Sequence, residues 1–416
     1  MKKDAIIYLG ANILNALTPF ILIPILTREL SVSEYGVVAL FQTLLPILTI
    51  FVGLNINGAI ARKFYDDETD NDFGKYVFNA FVIGLISFIF ITSIFYLSSR
   101  LFSDALQSSF PKDVVLLALT YAMFNVINQV RLVIWQVKQK PKPYATFQVI
   151  QSLGLLLSCL LLIYYMDIGP YSRIYSAIGT VFFFSLLSIV ILIKRDELKF
   201  EVNRSKVKDI LNFGLPLLPH SIGMIIVNTA DRYFVNLYIG VDSLGLYMAL
   251  IQVSLILGMF FDAINKAYVP WLFSKLRKND PVVDKGIVKK TYIYMLSLIF
   301  IGIVLSFIAP YFFIVFVGEK YNSVASYISI IIWAQIFNGM YLLVTNYVFY
   351  TKKNGKLSVV TISTGALNLA LLFLLVPEFG IKGAVYSTVI SSFIRFVSTW
   401  CLAAKLRPMP WSVLSK

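Results

Sequence analysis

The chain has 416 residues, 58% of them hydrophobic and only 14% charged, with a mean hydropathy of +0.78. A bilayer span needs about 20 mostly apolar residues, and twelve such stretches can be placed, which excludes a soluble globular protein and leaves no block for a separate catalytic domain. The formal net charge of +14 would point to nucleic acid in a soluble protein, so it has to be tested first as loop charge facing the cytoplasm.

The predicted spans are 6–27, 36–57, 76–97, 113–136, 147–166 and 174–193, then 210–239, 245–270, 291–316, 323–350, 357–376 and 383–404. All are expected to be helices, because an isolated strand cannot satisfy its backbone in lipid and the runs are too long and too continuously apolar for barrel strands. Lys2 and Lys3 before the first run resemble a signal peptide, but the run lacks a small-residue cleavage pattern and is read as the first helix. Pro19, Pro24, Pro46, Pro216 and Pro219 mark expected kinks.

Lys and Arg number 26 in the N-terminus, alternate loops and C-terminus, against 6 in the opposite loops. Both termini are therefore predicted to be cytoplasmic, and the positive charge reads as topology signal rather than as a nucleic-acid surface. Cys159 and Cys401 both fall in apolar spans, so neither a disulfide nor a metal site is expected.

The sequence repeats weakly at half its length. At an offset of 211, Ser152, Gly154, Gly169 and Tyr175 fall on Ser363, Gly365, Gly380 and Tyr386; at an offset of 209, Val32 and Gly36 fall on Val241 and Gly245. The expected organisation is an all-α polytopic membrane protein of 12 transmembrane helices in two six-helix lobes. These are residues 1–193 and 210–416, joined by a basic linker at 194–209 and related by a pseudo-two-fold axis along the membrane normal. Carriers built from two such lobes bind substrate near the midplane.

Ionisable groups inside a span need a reason, since they tend to face a bundle interior or a wet cavity. On the seventh span, His220, Asn228, Asp231, Arg232 and Asn236 share one stripe roughly 160° wide. On the twelfth, Arg395 lies near mid-membrane with Thr388, Ser391, Ser392, Ser398 and Thr399 within about 60° of it. Asp262 and Lys266 on the eighth span are four apart, as a structural or gate ion pair would be. Arg131 on the fourth can snorkel to the interface, while Asn125, Asn128 and Gln129 could meet sugar hydroxyls or join helices. Setting aside Asp113 at the first position of the fourth span, the spans carry four cations and two anions, which favours an anionic cargo. His220, with an ordinary pKa near neutrality, could couple proton movement or simply bond a neighbouring helix; Asp231 and Asp262 are alternative ion sites. No metal spacing, phosphate-cradling loop or nucleophile elbow occurs.

The segments LTPFILIPILTRELSVSEYGVVAL (17–40), GLNINGAIARKFYDD (53–67), FGLPLLPHS (213–221), NTADRYFVNLYIGVDSLGLYMAL (228–250) and VPEFGIKGAVYSTVIS (376–391) resemble the O-antigen type of polysaccharide-biosynthesis flippases. Their superfamily also holds the lipid II flippase and the multidrug extruders. The resemblance implies a carrier in the bacterial inner membrane that turns undecaprenyl-diphosphate-linked oligosaccharide repeat units from the cytoplasmic to the periplasmic leaflet. It implies alternating access, a cationic cavity, no cofactor, and a proton or sodium gradient as the energy source. A polysaccharide polymerase and a chain-length regulator are expected partners, alongside membrane lipid and the lipid-linked substrate. Arg395, Arg232 and Lys266 are then the expected diphosphate ligands, because an arginine fork stays charged and matches phosphate oxygens. A cation-coupled drug extruder of the same fold and a membrane polymerase or transferase are the alternatives; the first prefers an acidic interior and the second needs larger exterior loops.

Overall fold

The computed structural model describes residues 2–66, 72–98, 109–278 and 280–411, which form helices and connections with no strand among them. In order these are α1 (Lys2–Glu29), α2 (Val32–Gly53), α3 (Ile56–Asp66), α4 (Phe73–Ser98), α5 (Lys112–Val137), α6 (Pro141–Tyr165) and α7 (Tyr171–Lys194). There follow α8 (Arg204–Ile239), α9 (Val241–Leu276), α10 (Pro281–Val317), a 3-10 turn (Glu319–Tyr321), α11 (Asn322–Tyr350) and α12 (Asn354–Leu406). Ten of the described helices are long and apolar enough to cross a membrane. One of them, α12, holds two spans: Gly380 sits at φ 59°, a left-handed conformation natural to glycine, and breaks it. With that division, and with α1 added, each of the twelve predicted spans falls on a helix. The protein is a multi-pass, all-helical membrane protein.

The boundaries follow from local chemistry. Ser31 and Glu34 close a capping box at the start of α2, each side chain accepting the other's backbone N–H. The Asp280 carboxylate caps α10 by accepting from the Val282 N–H at 2.9 Å, with Pro281 in the first turn. Gly169 and Gly380, matched by the 211-residue offset, both have positive φ (56° and 59°).

The second span differs from expectation. Leu54 and Asn55 both turn left-handed, at φ 44° and 57°, so α2 stops at Gly53 and the amphipathic α3 starts three residues later. Asn55 stabilises that break from its side chain, donating to the Gly214 carbonyl (3.3 Å) and accepting from Ser221 (3.2 Å).

By packing, the chain divides into two compact units. The first comprises 1–229 with 240–245, the second 230–239 with 246–416. Helix α8 therefore contributes its first 26 residues to one and its last ten to the other. In the first unit α5 packs along α2 and α7, and α1 along α6. In the second, α11 packs along both α10 and α12, and Trp411 closes an aromatic cluster with Tyr292, Tyr347 and Trp400.

The 194–209 connection is bolted to the first unit. Glu197, 5% exposed, accepts from Arg131 and from Lys138 (2.6 Å). Lys206 and Lys75 flank Asp72 at 2.9 and 3.3 Å, Lys75 also pairs with Glu201 at 2.6 Å, and Arg62 pairs with Asp209 at 2.5 Å. Lys206 and Lys75 together hold the Asp72 carboxyl below its usual range.

Candidate functional site

The seventh-span stripe does not share one environment. His220 and Asn228 lie on the part of α8 belonging to the first unit, and both are exposed. Asn228 is spent on its own helix, donating to the Met224 carbonyl at 2.6 Å, and His220 makes no hydrogen bond among the described residues. Asp231 and Asn236 lie in the second unit and are buried, at 8% and 1% exposure.

Asp231 and Arg232 are neighbours but not an ion pair. The Asp231 carboxylate accepts from the Tyr247 hydroxyl at 2.6 Å and from the Arg232 backbone N–H at 3.0 Å. Neighbouring side chains on a helix point about 100° apart, so the Arg232 guanidinium is left without a carboxylate among the described residues. Its Nε is buried and has no hydrogen-bond partner. Tyr247 reaches further, lying 3.4 Å from the Thr388 hydroxyl on α12.

Thr388 and Arg395 are seven residues apart, hence on one face of α12 and about 10 Å along its axis. Arg395 donates from Nη2 to Asn338 Oδ1 at 2.9 Å and stacks 4.6 Å over the Tyr341 ring. It too lacks a carboxylate among the described residues, and its Nε is buried without a partner. One terminal nitrogen is fixed by an amide and the planar fork is laid on an aromatic face. The remaining donors of the fork make no hydrogen bond among the described residues. Ser391, one turn away, donates to Asn368 at 3.1 Å and extends the polar face.

The other expected residues are placed as follows. Lys266 and Asp262 form the predicted pair at 2.6 Å, both substantially exposed. A cavity of about 260 Å³ in the same unit is lined by Ile264, Asn265, Tyr268, Trp271, Lys290 and Tyr294. At 100° per residue, Ile264 and Tyr268 point away from Lys266, so the pair is not on that cavity's wall. Arg131 does not snorkel. It is fully buried, held by Glu197 and stacked 4.2 Å over Trp135, because the folded-back 194–209 segment brings a carboxylate to it. Asn128, 1% exposed, is used between helices: it donates to the Val181 carbonyl and accepts from Ser188, both at 3.0 Å on α7. Gln129 accepts from Asn57 at 2.7 Å, and Asn125 is half-buried with no hydrogen bond among the described residues.

Residues 1–276 match the family described as polysaccharide biosynthesis protein. The chain belongs to this family. An uncharacterized membrane protein of Haemophilus influenzae is 33% identical over 280 residues, 66% of each chain. The Lsg locus putative protein 1 of the same organism is 27% identical over 86% of each. Among solved structures, an inward-facing multidrug resistance MATE family transporter of the MOP superfamily aligns with a TM-score of 0.71 at 16% identity, over 96% of this chain and 97% of its own. The lipid II flippase MurJ, inward closed, aligns with a TM-score of 0.71 at 15% identity, over 97% and 88%. A MOP superfamily transporter from Pyrococcus furiosus, described as having a binding pocket of reverse polarity, gives 0.59 at 16% identity over 99% and 95%. The fold is thus that of the MOP superfamily transporters.

In this polysaccharide biosynthesis protein, sequence reasoning missed Asn338 and Tyr341, the two groups that fix Arg395. Their spacing on α11 shows that they share a face, but nothing in the sequence says that this face meets α12. It also assigned Arg173 to a loop. The helix α7 starts at Tyr171, and Arg173 is 9% exposed within its first turn.

Proposed function

We propose that this protein is a flippase that translocates undecaprenyl-diphosphate-linked oligosaccharide repeat units from the cytoplasmic to the periplasmic leaflet, by alternating access, for O-antigen or another surface polysaccharide. The observation that carries this reading is the pair of span-embedded guanidinium groups, Arg232 and Arg395, that lack carboxylates among the described residues. A charged group in hydrocarbon is tolerated when it faces a wet cavity or a counter-charge, and a diphosphate supplies two negative charges for two forks. Family membership and the fold it shares with a lipid II flippase agree with a lipid-linked anionic cargo. An extruder of cationic compounds needs the opposite polarity; here Asp231 is engaged by Tyr247 and Asp262 by Lys266.

The test is genetic and biochemical. In a strain whose surface glycan depends on this protein, Arg395→Ala and Arg232→Ala should each abolish export, and lipid-linked repeat units should accumulate in the cytoplasmic leaflet. Substitution by Lys should restore only part of the export, since a point charge replaces the planar fork. Intact export with both alanine variants would end the reading.

A further inference from the structure

Outside this site the first unit buries a second arginine. Arg173, in the first turn of the 24-residue α7, is 9% exposed, and its Nε and Nη1 are both buried without a hydrogen-bond partner. The groups that act electrostatically on its guanidinium are Tyr35 on α2, Tyr121 on α5 and Cys159 on α6, two phenols and a thiol, and it forms no ion pair among the described residues. Tyr35 is 2% exposed, Cys159 1%, Ser176 2% and the adjacent Ser172 0%, and the Ser172 hydroxyl is also buried without a partner. Arg131, the other buried arginine of this unit among the described residues, has its acid: it is 0% exposed and ion-paired to Glu197.

A guanidinium cannot shed its charge, and a dry interior tolerates an ion only when it is paired and hydrogen-bonded. The helix end at which Arg173 sits adds the positive end of the α7 dipole rather than relieving the charge. We infer that Arg173, with Tyr35 and Tyr121 around it, forms the binding site for a small inorganic anion of chloride size, inside the first unit and separate from Arg232 and Arg395. The Tyr121 hydroxyl is a donor suited to such an ion. A surround this buried, with Tyr35, Cys159, Ser172 and Ser176 each at 2% exposure or less, favours a small ion over a sugar or a diphosphate.

The purified full-length protein in detergent tests this by thermal unfolding. Titrating sodium chloride into sodium gluconate at constant ionic strength should raise the unfolding temperature saturably, as a ligand bound only to the folded state does. Bromide should act similarly and sulfate should not. In Arg173→Gln the saturable rise should vanish. That variant should also be at least as stable as the wild type in gluconate, because it no longer carries an uncompensated buried charge, and less stable than the wild type in chloride. Arg395→Gln should keep the rise.

A wild-type protein with no saturable response to chloride or bromide overturns the proposal without any variant. So does an unchanged response in Arg173→Gln. Loss of the response in Arg395→Gln would place the anion at the other arginine and equally overturn it. Export is not the readout, so failure here leaves the flippase reading standing, and failure of that reading leaves this site standing.

Discussion

The backbones of Gly36 and Gly245 meet directly: a Cβ on Gly245 would lie 3.0 Å from the Gly36 Cα, 2.8 Å from its nitrogen and 2.6 Å from the Val32 carbonyl oxygen. The contact is reciprocal, since a Cβ on Gly36 would strike the Val241 carbonyl. Val32 and Gly36 are the residues that the 209-residue offset places on Val241 and Gly245, so the two copies of one repeated turn pack on each other as an isologous pair does. The obstructing atoms are backbone and cannot swing aside. Gly245→Ala should therefore lower stability by about 1–3 kcal/mol, the cost of overpacking. Gly179→Ala, on α7 with nothing near the added Cβ, should raise it by about 0.4–1 kcal/mol through loss of unfolded-chain freedom. Thermal unfolding of the two variants side by side checks this; a Gly245→Ala as stable as Gly179→Ala would show that the turns do not pack as described.

What the sequence disclosed tracks what hydropathy can carry. Twelve long apolar runs fixed the spans, and the lone Arg395 stood out within one of them because an ion there has few explanations. The break at Gly380 was anticipated by the gap between the last two spans. Helix α3 was invisible because its 11 residues, from Ile56 on, are amphipathic rather than continuously apolar, so only the first two fall inside the predicted span 36–57. Arg173 was misplaced because apolarity begins at Ile174, whereas the helix begins three residues earlier. The Arg395 partners lie on a different helix, 57 and 54 residues away in sequence, a pairing that only tertiary packing reveals.

Asn338 offers a direct probe of the charge on Arg395. Its Oδ1 already accepts from Nη2 at 2.9 Å, so Asn338→Asp puts a carboxylate at the guanidinium with no change of shape. The ion pair would compete with any anionic cargo, and about 1.4 kcal/mol of competition is already tenfold in affinity. Export should fall toward the level of Arg395→Ala while the protein remains folded and membrane-inserted. Undiminished export with Asn338→Asp would mean that Arg395 does not meet the cargo.

The buried Arg131–Glu197 pair predicts an asymmetric cycle. Glu197→Ala strands a guanidinium that is fully buried, at a cost of about 3–5 kcal/mol. Adding Arg131→Met to that variant should recover most of the loss, because the stranded charge is then gone. Burial pushes the Glu197 carboxyl up, but the bonds from Lys138 and Arg131 outweigh it and hold the group below its ordinary 4.5. The folded value lies under the unfolded one, so the stabilisation is complete above about pH 4.5 and is lost as pH falls through the folded value. Unfolding temperature measured from pH 7 downward should drop more steeply in the wild type than in Glu197→Gln; parallel curves would remove Glu197 from the account.

The charge asymmetry of the loops predicts orientation, and two exposed positions can report it. Ser205 lies in the basic 194–209 segment, which carries six Lys and Arg residues, and Glu378 in the 377–382 connection, which carries Lys382 alone. In a background with Cys159 and Cys401 changed to Ser, Glu378→Cys should react with a membrane-impermeant maleimide in intact cells. Ser205→Cys should react only after the membrane is permeabilised. The reverse pattern would invert the topology, and with it the direction of transport proposed above. Labelling of both from outside would require an even number of crossings between them, which the helices from α8 to the Gly380 break do not allow: from Ser205 the chain crosses on α8, α9, α10, α11 and the first half of α12. Five crossings put the two positions on opposite sides, so the experiment tests the span count and the charge rule together.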